Sequence, residues 1–100
     1  MAAITGTLSK RTEFAGDYKL LIITCTPTSA SDTVTLTAAT HGITEIAGVI
    51  PVITAGNDAA LQTAYATASG LVITLTTAAA AGTAATDWTG AAVTLYVYGR

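Results

Sequence analysis

Leu71-Val72-Ile73-Thr74-Leu75-Thr76 and Ala92-Val93-Thr94-Leu95-Tyr96-Val97-Tyr98 decide the fold. In the first, Leu71, Ile73 and Leu75 alternate with Val72, Thr74 and Thr76. In the second, Val93, Leu95 and Val97 alternate with Thr94, Tyr96 and Tyr98. A period of two divides a strand into two faces, so each segment reads as a strand with an aliphatic side and a threonine or tyrosine side. The two read as a pair to which the rest of the chain adds strands, with the only tryptophan, Trp88, between them.

Working outward, Ala3 to Leu8 alternates Ile4 and Leu8 against Thr5 and Thr7, a short edge strand, and Ser9 to Gly16 reads as a loop carrying Lys10, Arg11 and Glu13. Asp17 to Thr26 is the strongest β-former, with Leu20 and Ile22 on one face and Leu21, Ile23 and Cys25 on the other. A strand apolar on both faces is covered on both. A two-layer domain covers only one, so the second cover is a loop, an edge or another subunit. Pro27 ends this strand. Thr33 to Ala38, with Val34 and Leu36 inward, is expected to close a hairpin with it. Val49 to Thr54 contains Pro51 and belongs at an edge or a bulge. Ala59 to Ala68 fits a helix face and a strand face equally; the short Ser69-Gly70 connection into Leu71 favours a strand. Ala78 to Thr86 reads as a long low-complexity loop. The expected fold is all-β: one domain over residues 1–100, an antiparallel β-sandwich or small barrel of about seven short strands.

Composition narrows function by exclusion. The chain is 51% hydrophobic and only 10% charged, with 21 Thr and 21 Ala. So little charge gives weak protection against association, which makes association a candidate function. Four basic residues, Lys10, Arg11, Lys19 and Arg100, form no stripe able to neutralise a run of phosphates, so nucleic acid is not an expected partner. The longest apolar run, Leu20 to Ile23, is far short of a membrane helix, and no charged start leads into an apolar signal segment. A cytoplasmic origin is expected.

Catalytic chemistry has few residues to work with: one His, one Cys and six dispersed carboxylates. Cys25 lies in the most apolar strand and reads as a buried, idle thiol, and His41 beside Gly42 as a turn residue. Asn57-Asp58 lacks the acidic series of a calcium loop, and Gly82 to Gly90 lacks the lysine of a phosphate cradle. No catalytic, metal or cofactor residue is assigned and no cofactor is expected. The aromatic residues remain. Trp88 reads as a plug at one end of the core or as a stacking ring, while Tyr96 and Tyr98 alternate with core residues and point outward.

The strings Ser69 to Thr76 and Gly82-Thr83-Ala84-Ala85-Thr86-Asp87-Trp88-Thr89-Gly90-Ala91, running into Val93 to Gly99, with the Met1-Ala2-Ala3-Ile4-Thr5-Gly6 opening, resemble small structural proteins of tailed bacteriophages. That resemblance implies a non-enzymatic capsid decoration or cement protein in the virion, assembled in the host cytoplasm, with the major capsid protein or another virion protein as partner. It also implies a homo-oligomer, a trimer first and a dimer second. The expected interface residues are Leu21, Ile23, Tyr96 and Tyr98. The competing expectation is a small carbohydrate-binding or adhesion module using Trp88, Tyr96 and Tyr98.

Overall fold

The structure is a computed structural model that describes residues 2–13, 18–55, 63–78, 85, 88 and 90–100. Its strands are β1 (Ala2–Ala3), β2 (Thr7–Glu13), β3 (Lys19–Cys25), β4 (Ser31–Thr35), β5 (Ile46–Ala55), β6 (Thr63–Ser69), β7 (Val72–Ala78) and β8 (Ala92–Gly99), with one helical turn, α1 (Ala38–His41), between β4 and β5. Two four-stranded sheets form, in the orders β1-β4-β7-β6 and β2-β3-β8-β5. All pairings are antiparallel except β1 with β4. The all-β sandwich read from the sequence is the fold observed.

The core lies between the sheets and collects one face of each central strand: Leu21 and Ile23 from β3, Val34 from β4, Ile73 and Leu75 from β7, and Val93, Leu95 and Val97 from β8. Leu36 and Ile43, flanking α1, complete it. Most of these side chains are fully buried, each contributing roughly 1.5–3 kcal/mol relative to exposure.

Three sequence expectations about connectivity change. First, β7 and β8 are not partners: they lie in different sheets and face one another across the core. Strands in different sheets cannot be joined by a tight turn, and thirteen residues separate them in sequence. Second, the hairpin expected between Asp17 to Thr26 and Thr33 to Ala38 does not form, because β3 pairs with β2 and β8 while β4 pairs with β7 and β1. Third, Ser9 to Glu13 is strand rather than loop, with a register shift between Leu8 and Lys10. Pairing with β3 satisfies its backbone, and a bulge absorbs the extra residue.

The turn between β3 and β4 is organised by Asp32, which is fully buried. Its Oδ2 accepts from the backbone N–H of Thr28 at 3.0 Å and Ser29 at 3.3 Å, and its Oδ1 accepts from the Ser29 hydroxyl at 2.6 Å. The Thr28 hydroxyl adds a longer contact of 3.4 Å. A buried carboxylate is tolerated only with such partners.

The strand expected over Ala3 to Leu8 divides instead: Ala2–Ala3 joins the first sheet as β1, Thr7 and Leu8 open β2 in the second, and residues 4–6 cross between them. Three other local expectations hold. Pro51 lies in β5, an edge strand, where a missing N–H is tolerated. The ambiguous stretch is strand from Thr63 onward, with Ala64 and Ala66 packed on the core and Tyr65 exposed. The β6–β7 turn is Gly70-Leu71, one residue later than expected, with Gly70 at φ 62°. Left-handed backbone of this kind suits glycine in two-residue hairpin loops. Asn57-Asp58 and most of Ala78 to Thr86 and Gly82 to Gly90 lie outside the described residues.

Asp32→Ala removes the buried acceptor for two part-buried backbone N–H groups of the turn. The expected loss is on the order of 2–4 kcal/mol, read as a lower urea midpoint at unchanged slope. A loss below about 0.5 kcal/mol would show that the turn holds without the carboxylate.

Candidate interaction face

The outer face of the second sheet is built from three rows that run across its four strands. Register places Lys10, Ile22, Tyr96 and Ile50 in one row, and Thr12, Leu20, Tyr98 and Gly48 in the next. Thr7, Thr24, Thr94 and Val52 make the third. Lys10 is the only charged residue in the three rows, and it stands on the edge strand. The remainder is aliphatic, aromatic, threonine or, at Gly48, glycine.

Exposure singles this face out. Among the described residues, six large hydrophobic side chains are exposed, and four of them are here: Ile50 at 65%, Val52 at 42%, Tyr98 at 42% and Tyr96 at 37%. The other two, Tyr65 and Val72, stand on the outer face of the first sheet. Contiguous apolar patches of this kind mark interaction sites more often than isolated exposed residues do.

A hollow of about 520 Å³ opens on this face, lined by Leu20, Gly48, Val49, Ile50, Tyr96 and Tyr98. Gly48 is directly opposite Tyr98 in register, and a Cβ there would come within 3.1 Å of the Tyr98 ring. The missing side chain lets the ring lie close over the neighbouring strand. Tyr98 also meets Tyr18, with ring centroids 5.6 Å apart, and the Arg100 guanidinium stands 5.7 Å from the Tyr18 centroid. Arg100 pairs with Glu45 at 3.5 Å in solvent. This aromatic and cationic group forms one end of the face. Chemically the face offers apolar contact, tyrosine hydroxyls and a charged rim.

The residues expected at the interface divide. Tyr96 and Tyr98 stand outward as read from the sequence. Leu21 and Ile23 do not belong to the face: both are 0% exposed and pack in the core between the sheets. Strand parity explains the correction, since Leu21 and Ile23 alternate with Leu20 and Ile22, and the core takes the first pair. Leu20, Ile22, Ile50, Val52 and Gly48 are the members that sequence reasoning missed.

Trp88 does not join the tyrosines. It packs with Ala85, Ala91 and Ile53, and its indole N–H donates to the Thr77 hydroxyl at 3.0 Å. Ile53 pairs with the core residue Val93, so this cluster closes one end of the interior. The three rings proposed for sugar stacking therefore share no common platform. Lys10 and Arg11 are exposed on edge strand β2 rather than in a turn.

A second hollow, of about 420 Å³, lies where the chain crosses between sheets, lined by threonines, Ile4, Leu8 and His41. His41 is the last residue of α1, not part of an irregular turn, and is largely buried. Its Nδ1 accepts from the Thr37 N–H at 3.0 Å. No three of His, Cys, Asp and Glu gather among the described residues, and no described helix is long and apolar enough to cross a membrane. No family model, curated protein or solved structure matches this chain.

Cys25 is buried, and its Sγ lies 3.5 Å from the Val93 carbonyl oxygen. Burial first, and the Asp32 carboxylate second, push its thiol from 9.0 up to about 11. Between those values the unfolded thiol ionises while the folded one keeps its proton, so stability falls as pH rises from 9 to about 11. The loss amounts to no more than roughly 3 kcal/mol. In the Cys25→Ala variant this component of the alkaline decline is expected to vanish, at the cost of some stability below pH 9. Denaturation midpoints across pH 7 to 11 measure it; parallel profiles for the two proteins would remove the thiol from the account.

Proposed function

We propose that this chain is a non-enzymatic structural protein of a tailed-phage particle, a capsid decoration or cement protein that binds the shell and its own copies. The observation that carries the reading is the outer face of the second sheet, where Ile50, Val52, Tyr96 and Tyr98 are exposed around a hollow with a single lysine at the margin. Aromatic enrichment with charge depleted at the centre is the composition of interface cores. The phage assignment rests on the resemblance of the Ser69 to Gly99 strings, and the major capsid protein is the partner it implies.

The mechanism is adhesion. A partner that covers Tyr96 and Tyr98 gains their apolar area at small entropic cost, because tyrosine has few rotatable bonds. The rim formed by Lys10 and the Arg100–Glu45 pair stays in solvent and contributes orientation more than affinity.

Co-expression with the major capsid protein of the phage that carries this gene tests the reading. The chain should sediment with assembled shells, and Tyr96→Lys should leave it in the soluble fraction with its β circular dichroism spectrum unchanged. Shells that pellet without the wild-type chain would overturn the proposal.

A further inference from the structure

We infer that a second copy of this chain covers the outer face of the second sheet, in a two-fold, face-to-face dimer that exchanges the two central rows. The inference rests on the reading of that face as an interaction surface and goes beyond it by naming the occupant and the register.

An isologous interface needs both halves of each contact on one surface, because residue i of one copy meets residue j of the other and the reverse. This face has that property. Ile50, the most exposed large hydrophobic residue described, stands two positions along β5 from Gly48, which carries no side chain and lines the hollow. A two-fold axis lying in the interface and crossing β5 between positions 48 and 50 sets Ile50 of each copy against the hollow of the other. The same axis runs parallel to the rows. It therefore lays Lys10, Ile22, Tyr96 and Ile50 of one copy over Thr12, Leu20, Tyr98 and Gly48 of the other. Lys10 then faces a threonine, so no like charges meet.

Area and charge agree with this occupant. A stable interface needs about 800 Å² per partner, under a fifth of the 5239 Å² accessible on this chain. One of the two broad faces of a sandwich supplies that much. Flat sheets pack face to face at about 10 Å with strands nearly aligned, so two identical faces make an ordinary sandwich interior. Among the described residues the rows hold a single charge, Lys10, so the face itself adds little repulsion.

The test uses Ile50→Glu and Ile50→Lys. Because Ile50 also lines the hollow, the two copies of position 50 approach one another across the axis, and opposite charges there should pair. Light scattering after size exclusion should give twice the 10.0 kDa chain mass for the wild type. Each variant alone should run near the chain mass, with dimerisation weakened at least tenfold. An equimolar mixture of the two should return to twice the chain mass. Circular dichroism should match the wild type, since position 50 is 65% exposed, while the thermal midpoint of each single variant should lose the concentration dependence that a dimer gives the wild type. A wild type at the chain mass or at three times it overturns the two-fold pairing. So do single variants that keep the wild-type mass, or a mixture that stays monomeric. A second copy and the shell cannot cover the same tyrosines at once, so the dimer is the free form and the shell displaces the second copy; sedimentation with shells reads that step separately from the mass in solution.

Discussion

Strand β8 carries the constraint on which the rest of the structure depends. It is hydrogen-bonded on both edges, to β3 and to β5, and its inward row, Val93, Leu95 and Val97, is fully buried. With the inward row fixed by the hydrophobic effect, a period of two leaves Tyr96 and Tyr98 no alternative to the outer face. A one-residue slip would put the tyrosines into the core and the aliphatic row into water. The strand that sets the core thus sets the centre of the candidate site, and its partners follow: Leu20 and Ile22 on one side and Gly48 and Ile50 on the other take their places by pairing with it.

The two broad faces are chemically unlike. On the first sheet, register aligns Thr33, Thr74 and Thr67 in one row, flanked by Ser31, Thr76 and Tyr65 and by Thr35, Val72 and Ser69. Hydroxyls on β-branched stems hydrate well and suit a pleated surface. Low charge alone does not make a surface sticky, and this face shows why threonine can replace it. The second sheet has no such substitute over its centre. Among the described residues, most of the large hydrophobic side chains left outside the core are gathered on one side of one sheet.

The existence of β3, β4, β7 and β8, the inward rows of β7 and β8 and the edge position of Pro51 were legible because each is a local property of alternation or of a missing donor. Strand β2, charged at Lys10, Arg11 and Glu13, was not. Pairing was legible only for the β6–β7 hairpin, from its short connection. Nothing local tells β4 to join β7 rather than β3; that depends on the turn Asp32 organises and on which sheet has a free edge. The site was half legible for the same reason. Tyr96 and Tyr98 are fixed by parity within their own strand, whereas Ile50 and Gly48 enter only through pairing with β8. Choosing between Leu20/Ile22 and Leu21/Ile23 needed no pairing. Cys25 shares a face with Leu21 and Ile23, so a buried thiol already commits those two residues to the core. Trp88 defeats sequence reasoning differently: its sequence distance from Tyr96 says nothing about the turn that carries it to the interior end.

An apolar sheet face invites association, and the form that association takes is set by the edges. Unpaired strand edges template open-ended pairing and fibres. Here β2 carries Lys10 and Arg11 and a register shift, and β5 carries Pro51 with shifts at both ends. The first sheet has β6 lying against β5 of the second, and the edge of β4 is bridged by β1. The described edges are therefore charged, bulged or covered, and the outer face of the second sheet is the apolar surface left open. Contact through a face consumes that surface and, when the pairing is two-fold, stops there. A chain this poor in charge can then associate and still end in a closed assembly of defined size.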